Sequence, residues 1–147
     1  MEGHVHDMGA AIMDGISGHA GLFGNSLDIA KILQLFLQKG SYANEKFFEE
    51  KFFDLFNFRH FKEKKVRRGI GFDKPELDPD DPNTCGCTSD KSFGHYGFTG
   101  SVAWVDPETE IIYVFLSNRT FPDENNNSLS EFNIRTEIQK LVHEAFD

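Results

Sequence analysis

The stretch of sequence that decides the fold reads Phe93-Gly94-His95-Tyr96-Gly97-Phe98-Thr99-Gly100. It runs directly into the apolar segment Ser101-Val102-Ala103-Trp104-Val105, and a second apolar segment follows from Glu110 to Ser117. Asp106-Pro107-Glu108-Thr109 separates the two segments, and a proline there presets φ for a turn. The pattern predicts two antiparallel strands, at about 94–105 and 110–118. Because Ile111 to Leu116 is apolar throughout, we expect the second strand to be central and covered on both faces.

The start of the first strand carries residues that suit a substrate-binding edge. A glycine leaves the backbone flat enough to lie beside a substrate, and a polar side chain next to it can face a substrate carboxylate or a nucleophile. Here Gly97 is the glycine and His95 is the polar residue. The alternative interpretation is structural: Gly94 to Gly97 is a strand with one buried aromatic residue.

Three helices and one further strand complete the expected fold. Hydrophobic periodicity predicts helices at Asn25–Lys39, with Asn25 as N-cap, at Glu49–Asn57 and at Ile134–Phe146. The apolar stripe of the last helix comprises Ile134, Ile138, Leu141, Val142, Ala145 and Phe146. A strand is expected around Val66 to Phe72, and loops are expected at 3–24, 73–92 and 121–130. The fold class is therefore α+β, a three-stranded antiparallel sheet flanked by helices.

Four segments occur in the order found in one known family. They are Gly15–Phe23 followed by Asn25–Ala30, then Arg68–Phe72, then the stretch around His95, then Leu116–Pro122. Together they resemble the class C β-lactamases and penicillin-binding-type serine hydrolases, whose Lys-Thr-Gly strand opens in this way. The nearest resemblance is to the β-lactamase-like module that follows a glycoside hydrolase family 3 domain in some bacterial proteins. It covers residues 3–146 and implies a partial β-lactamase/transpeptidase-like fold.

The resemblance implies roles for five residues. His95 takes the place of the active-site-strand lysine, and Gly97 that of its glycine. Phe98 would offer its backbone N–H to the oxyanion hole. Tyr96 replaces the usual threonine or serine, and its phenol would fill space beside the nucleophile and alter carboxylate binding. Asn118 would donate a hydrogen bond to substrate, or it serves only as a cap at the strand end.

Two motifs of the family do not occur where the family has them. No serine of this chain has a lysine three residues on, so there is no Ser-x-x-Lys nucleophile. Tyr42-Ala43-Asn44 has the letters of the Tyr-x-Asn motif but follows the glycine-rich loop instead of preceding it. We therefore interpret residues 1–147 as the C-terminal portion of one domain, with a loop and helical part (1–58) and a part holding the sheet and last helix (59–147). The isolated chain is expected to be inactive.

The same reasoning identifies partners. The family sheet has five strands, so the N-terminal part of the same domain is the expected partner and would supply the other two. Without it an apolar edge is exposed, which predicts homo-oligomers through that edge. The net charge of −9 argues against nucleic-acid binding, and no segment is long and apolar enough to span a membrane. No cofactor is expected, and the resemblance places the parent protein in the periplasm or cell envelope.

Several residues allow a structural or a metal-binding interpretation. Cys85 and Cys87 are separated by one residue, and a disulfide across so short a distance would be strained. Two thiols alone do not complete a zinc site. We therefore expect both cysteines to be free thiols on a loop. The group His4, His6, Asp7 and His19 could hold a metal, but the resemblance places it on a loop beside the site with no metal needed. His60 and His143 are interpreted as surface residues, and the basic run 59–68 as a solvated loop.

Three interpretations remain open at this point. The first is a fragment of a serine hydrolase whose parent hydrolyses cell-wall peptides, amides, esters or β-lactams through a serine ester. The second is a non-catalytic cell-wall binding or structural module beside a glycoside hydrolase. A small metal-binding domain is a third interpretation. The sequence upstream discriminates the first two, since Ser-x-x-Lys followed by Tyr-x-Asn would indicate an enzyme.

Overall fold

The structure, a computed structural model, describes residues 3–146. In chain order its helices and strands are α1 (Met8–Ile12), α2 (Ser26–Leu37), β1 (Ser41–Tyr42), β2 (Glu45–Lys46), α3 (Glu50–Asn57), β3 (Phe93–Tyr96), β4 (Val102–Asp106), β5 (Ile111–Phe115), α4 (Ser128–Glu131) and α5 (Ile134–Glu144). A short 3₁₀ helix covers Lys62–Lys64. This α+β architecture is a partial β-lactamase-like fold, as the sequence predicts. None of the helices in the described range is long and apolar enough to cross a membrane.

The main sheet is antiparallel with the order β3-β4-β5. His95 pairs with Ala103, and Trp104 with Tyr113, so the three strands stay in register across the sheet. The number of strands agrees with the sequence-based expectation, but their identity differs. The strand expected at 94–105 is divided by a turn, in which Gly97 N–H donates to Ser101 O (2.8 Å). The segment 66–72 is not a strand; only Asp73 next to it forms a bridge with Gly94.

Helices cover the two faces of this sheet. On one face α2 and α3 pack Leu33 and Phe53 against Phe93 and Val105. On the other face α5 packs Ile138 and Val142 against Val102, Trp104 and Tyr113. The alternation of side chains along β4 explains how one strand serves both layers, since successive residues point to opposite faces.

A cluster of phenylalanine rings forms the core on the α2 side. Phe36 lies 5.1 Å from Phe72, Phe72 lies 5.0 Å from Phe93, and Phe93 lies 5.1 Å from Phe53 between ring centroids. Edge-to-face and tilted pairs at these distances are the favourable geometry for aromatic rings. The sixteen phenylalanines of the chain are therefore partly explained by this core.

Local signals account for the ends of the first two helices. Asn25 caps α2, its side chain accepting a hydrogen bond from Asp28 N–H at 3.0 Å, as predicted. The glycine-rich segment 3–24 was expected to be rich in loops, and the structure adds one short helix within it, α1. Asp7 explains the difference, because its carboxylate caps that helix by accepting from Ala10 N–H at 2.7 Å.

The position of β5 corrects one prediction. The strand was expected to be central, but among the described residues it pairs only with β4 and is an edge strand. Its residues are half-buried except Tyr113, whereas β4 is the buried central strand. An apolar run therefore does not by itself show that a strand has a neighbour on both sides.

The buried face of α5 also differs from the predicted stripe. Gln139 and His143 are buried, while Leu141 and Phe146 are 64% and 77% exposed. The helix presents Gln139 to the loop 73–92 in place of the predicted apolar stripe. The Gln139 side-chain oxygen accepts a hydrogen bond there from Cys85 N–H (3.1 Å). The interpretation of His143 as a surface residue was wrong, because periodicity alone does not reveal which loop covers a helix.

The loop chemistry differs from expectation at two further places. Cys85 and Cys87 form a disulfide, so the prediction of free thiols was wrong. Gly86 adopts φ +70°, and the resulting turn brings the two Cα atoms to 5.1 Å, within the range that a bridge requires. The basic run is not simply solvated either: Arg59 is buried and donates to Arg67 O, Pro75 O and Asp90.

Candidate functional site

The candidate site is built around the end of β3, where His95 and Tyr96 point to opposite faces of the sheet. His95 is exposed and lies near Arg68, on the side of α2 and α3. Tyr96 packs against Trp104, with ring centroids 5.6 Å apart, on the side of α5. Alternation along the strand thus separates two residues that sequence reasoning assigned to one site.

Hydrogen bonds define the state of the His95 ring. Arg68 Nη2 lies 2.7 Å from Nε2, and Nδ1 lies 2.8 Å from the carbonyl oxygen of Tyr96. A guanidinium can only donate and a carbonyl can only accept. The two contacts are satisfied together by the tautomer with its proton on Nδ1 and with Nε2 as acceptor. Its partner in the structure is the Arg68 guanidinium.

The residue after Gly97 presents a free backbone donor. Among the hydrogen bonds of residues 3–146, none uses the N–H of Phe98. The carbonyl of the same residue is held by Arg119, whose Nε donates to it at 2.9 Å and whose guanidinium lies 4.8 Å from the Phe98 ring centroid. Arg119 also donates to the carbonyls of Glu124 and Asn126. Arg119 therefore holds the carbonyl and the ring of Phe98, on the far side of its Cα from the free N–H.

Neither a close contact nor a backbone angle within the described residues requires glycine at position 97. A Cβ there would meet Ser101 at 3.5 Å or more, which is ordinary van der Waals contact, and its φ is not in the left-handed region. Gly94 is different, because a Cβ there would collide with Ala103 O and with Trp104. Open space at Gly97, beside an unused N–H, is the geometry that lets a ligand approach the backbone closely.

Tyr96 and Asn118 make internal contacts. The Tyr96 hydroxyl donates to Asn83 O at 2.7 Å, and burial raises the pKa of this phenol to about 12. The ring also lies 5.1 Å from the Arg135 guanidinium. Asn118 Oδ1 accepts from Thr120 Oγ1 (2.8 Å), the arrangement of a cap at the strand end. Neither side chain lies with His95, although Tyr96 lines a polar cavity of about 560 Å³ next to α5.

The glycine-rich N-terminal segment reaches the same site. The His6 ring stacks on Phe98 with centroids 5.8 Å apart, and its Nε2 lies 3.3 Å from Glu124 Oε2. Further along, His19 bridges Asp7 Oδ1 (2.8 Å) and Ser17 Oγ (2.6 Å). The hydrogen bonds from Ala10 N–H and His19 lower the pKa of the Asp7 carboxyl. His19 therefore ties the loop together through two side chains.

Sequence reasoning did not select three residues that complete this surface: Arg68, Arg119 and His6 as a neighbour of Phe98. Arg68 was noted only as part of a predicted strand, and its contact with His95 spans 27 residues of sequence. The signal that could have identified it is its position in the same four-segment pattern that singled out His95.

Comparison with known proteins agrees with this geometry. A family model described as Beta-lactamase matches residues 2–135. The chain belongs to the β-lactamase family. This membership confirms the resemblance from which the roles of the β3 residues were inferred, although it does not test those roles.

Two named relatives are similar in sequence to this chain. The chain is 35% identical over 133 residues to a Bacillus subtilis protein named N-acetylmuramyl-L-alanine amidase, which covers 86% of this chain and 30% of the relative. It is 36% identical over 118 residues to a Salmonella agona protein named "Putative D-alanyl-D-alanine carboxypeptidase", covering 80% of this chain and 27% of the relative. The chain thus spans less than a third of the length of these relatives.

Proposed function

We propose that this chain is the C-terminal wall of a serine hydrolase site whose nucleophile is supplied by an N-terminal segment of the same domain. The observation that carries the proposal is the unused N–H of Phe98, in a residue whose carbonyl Arg119 holds and next to a glycine that the fold itself does not require. In acyl transfer such a donor stabilises the oxyanion of the tetrahedral intermediate. The second donor would be the N–H of the missing nucleophile.

His95 has a defined role in this proposal. As a neutral imidazole held by Arg68, it presents no second positive charge beside the guanidinium. The pair would provide one cation, carried by Arg68, at the position where the family has its lysine. That cation can attract the carboxylate of a peptide substrate, and His95 would hold it in place.

The proposed upstream segment, which would precede this chain in the same domain, would cover the surfaces that residues 3–146 leave open. The free edge of β5 offers unpaired backbone groups, and two large apolar side chains are exposed nearby in sequence, Leu141 on α5 and Phe146 just after it. A second apolar region is the groove of about 380 Å³ lined by phenylalanines of α2 and α3. Strand addition at the edge and helix packing beside it would bury these groups.

The proposed substrate class is the cell-wall peptide, cleaved at an amide bond through a serine ester. The names of both relatives refer to bonds of that polymer. The proposal accordingly places the parent protein in the periplasm or cell envelope.

Labelling with a fluorescent penicillin and with a fluorophosphonate tests the proposal. The 147-residue chain is compared with a polypeptide extended upstream by a full domain's length. Label on the extended protein alone supports a shared site, and in that protein Arg68→Met should reduce the penicillin label while the distant control His60→Gln should not. Label on the short chain would overturn the proposal. Absence of label on both would favour the non-catalytic module.

A further inference from the structure

One cluster of potential metal ligands lies on the opposite side of the sheet from His95. Cys85, Cys87 and His143 bring two sulfur atoms and one ring nitrogen within 4.8 Å of one another. It is the one group of three such residues found in the range 3–146. The histidine is buried, Cys85 is half-buried and Cys87 is exposed. One ligand therefore lies in the interior, and the cluster is accessible from solvent at Cys87.

The loop that carries the cysteines is fastened at several points. Gln139 Oε1 accepts from Cys85 N–H (3.1 Å), which ties the loop to α5 one turn before His143. The buried Thr84 hydroxyl lies 3.1 Å from Thr88 Oγ1 and accepts from Gly86 N–H at 3.4 Å. The ligand atoms are therefore held by a structured loop and a helix, and they do not depend on flexible side chains alone.

Gln139 supplies a second, independent observation. Its Nε2 is buried and has no hydrogen-bond partner among the described residues. The orientation of the amide is fixed, because Cys85 N–H requires an acceptor and so faces the side-chain oxygen. A buried donor without a partner carries a free-energy cost and calls for an acceptor. A thiolate on Cys85 or Cys87 would be such an acceptor, and outer-shell hydrogen bonds of this kind support metal–thiolate sites.

The spacing of the three atoms fits a tetrahedral thiophilic ion. With Zn–S bonds of about 2.3 Å and Zn–N bonds of about 2.0–2.1 Å, neighbouring ligand atoms lie about 3.6–3.8 Å apart. Reduction would let the two sulfurs move apart. A small movement of the loop towards His143 would then bring the three ligand atoms to these distances. Zinc sites with three protein ligands complete the fourth position with water. The exposed Cys87 leaves room for that water.

We propose that Cys85, Cys87 and His143 form a zinc site that exists only when the Cys85–Cys87 disulfide is reduced. An external dithiol reduces the bridge by two electrons, giving two cysteine thiols and the oxidised, cyclic disulfide of the reductant. Zn²⁺ then binds both sulfurs and the neutral imidazole of His143, and the two thiol protons are released to solvent. Zinc itself undergoes no redox change.

The site is connected to β3 through the same loop. Asn83, two residues before Cys85, accepts the hydrogen bond from the Tyr96 hydroxyl. A change in the loop between its oxidised and zinc-bound forms would therefore reach the residue next to His95. This connection goes beyond the proposed hydrolase function, and the zinc site does not depend on that function.

The test measures zinc binding to the chain before and after reduction by a dithiol that is then removed without oxygen. We expect about one zinc per chain in the reduced form and none in the oxidised form. Cys85→Ser and His143→Gln should each weaken binding at least about tenfold. The control His4→Gln, an exposed histidine outside the cluster, should bind as the parent does.

A second measurement does not depend on the folding of the variants. Cobalt(II) added to the reduced parent chain should give the visible bands of a tetrahedral ion together with sulfur-to-cobalt charge transfer. Circular dichroism of each variant checks that its fold is retained. The proposal is overturned if the reduced chain binds no stoichiometric zinc, if the oxidised chain binds equally well, or if cobalt gives an octahedral spectrum without charge transfer.

Discussion

Arg68 Nη2 and His95 Nε2 lie 2.7 Å apart, so an arginine from the segment before the long loop fixes the tautomer of a histidine on β3. The two residues are both exposed, and the contact is not needed to fill the core. Its consequence is chemical: the imidazole accepts at Nε2, donates from Nδ1 and leaves the guanidinium as the one charge of the pair.

Arg68→Met should weaken the preference of the His95 ring for the Nδ1–H tautomer. Without the donor at Nε2, only the Tyr96 carbonyl still favours the proton on Nδ1, so the Nε2–H tautomer should gain population relative to the parent. Nitrogen-15 NMR of the His95 ring distinguishes the two states. Stability should change by less than about 0.5 kcal/mol, as for other exposed side chains. An Nε2–H tautomer in the parent would contradict the hydrogen-bond assignment.

Two neighbouring glycines should respond differently to alanine. Gly94→Ala introduces a Cβ against Ala103 O and Trp104 and should lower the free energy of unfolding by about 1–3 kcal/mol. Gly97→Ala should change it by less than about 0.5 kcal/mol, because its Cβ meets only ordinary contacts. Urea unfolding measures both. In the upstream-extended protein, Gly97→Ala should nevertheless reduce acyl labelling; unchanged labelling would argue against a substrate beside this strand.

Lys74 should make stability depend on pH. Its side chain is buried and donates to Asn57 Oδ1 and Lys91 O (both 3.0 Å), and burial together with the nearby Arg59 lowers its pKa to about 8. Between pH 8 and about 10.5 the unfolded chain binds more protons than the folded one, so stability increases with pH. Relative to Lys74→Met, the parent should gain at most about 3 kcal/mol across this range.

The control for this experiment is Lys140→Met, an exposed lysine on α5. The difference in unfolding free energy between it and the parent should stay flat over the same pH range. A flat difference for Lys74→Met as well would mean that the lysine is solvated in the folded state.

Self-association through β5 follows from its open edge. We predict that the isolated chain forms dimers or larger species, measured by light scattering as a function of concentration. Leu116→Lys, directly after the strand, should shift the chain towards monomer because a charge at an edge disfavours pairing. The control Ile16→Lys, 84% exposed in the N-terminal segment, should not. A monodisperse monomer of the parent at high concentration would contradict the prediction.

Local sequence was sufficient wherever a short-range rule acts. Asn25 caps α2 because its side chain reaches a donor three residues away. Asp106 to Thr109 joins β4 and β5 because proline and polar residues favour a turn. The family was also evident from four segments in order, and the comparison with the family model confirmed it. The sequence by itself thus determined the α+β class, the principal helices and the hairpin.

Only the tertiary structure decided which partners these elements meet. The apolar run of β5 did not reveal that the strand lies at the edge of the sheet within residues 3–146, since periodicity reports burial and not strand order. Tyr96 faces α5 and His95 faces Arg68 because a strand alternates its sides, a separation that a linear motif does not express. His143 lies beside Cys85 and Cys87, 58 and 56 residues earlier in the chain, because α5 packs onto their loop, where Gln139 accepts from Cys85 N–H. Long-range contacts of this kind depend on how elements pack, and packing is a property of the whole chain.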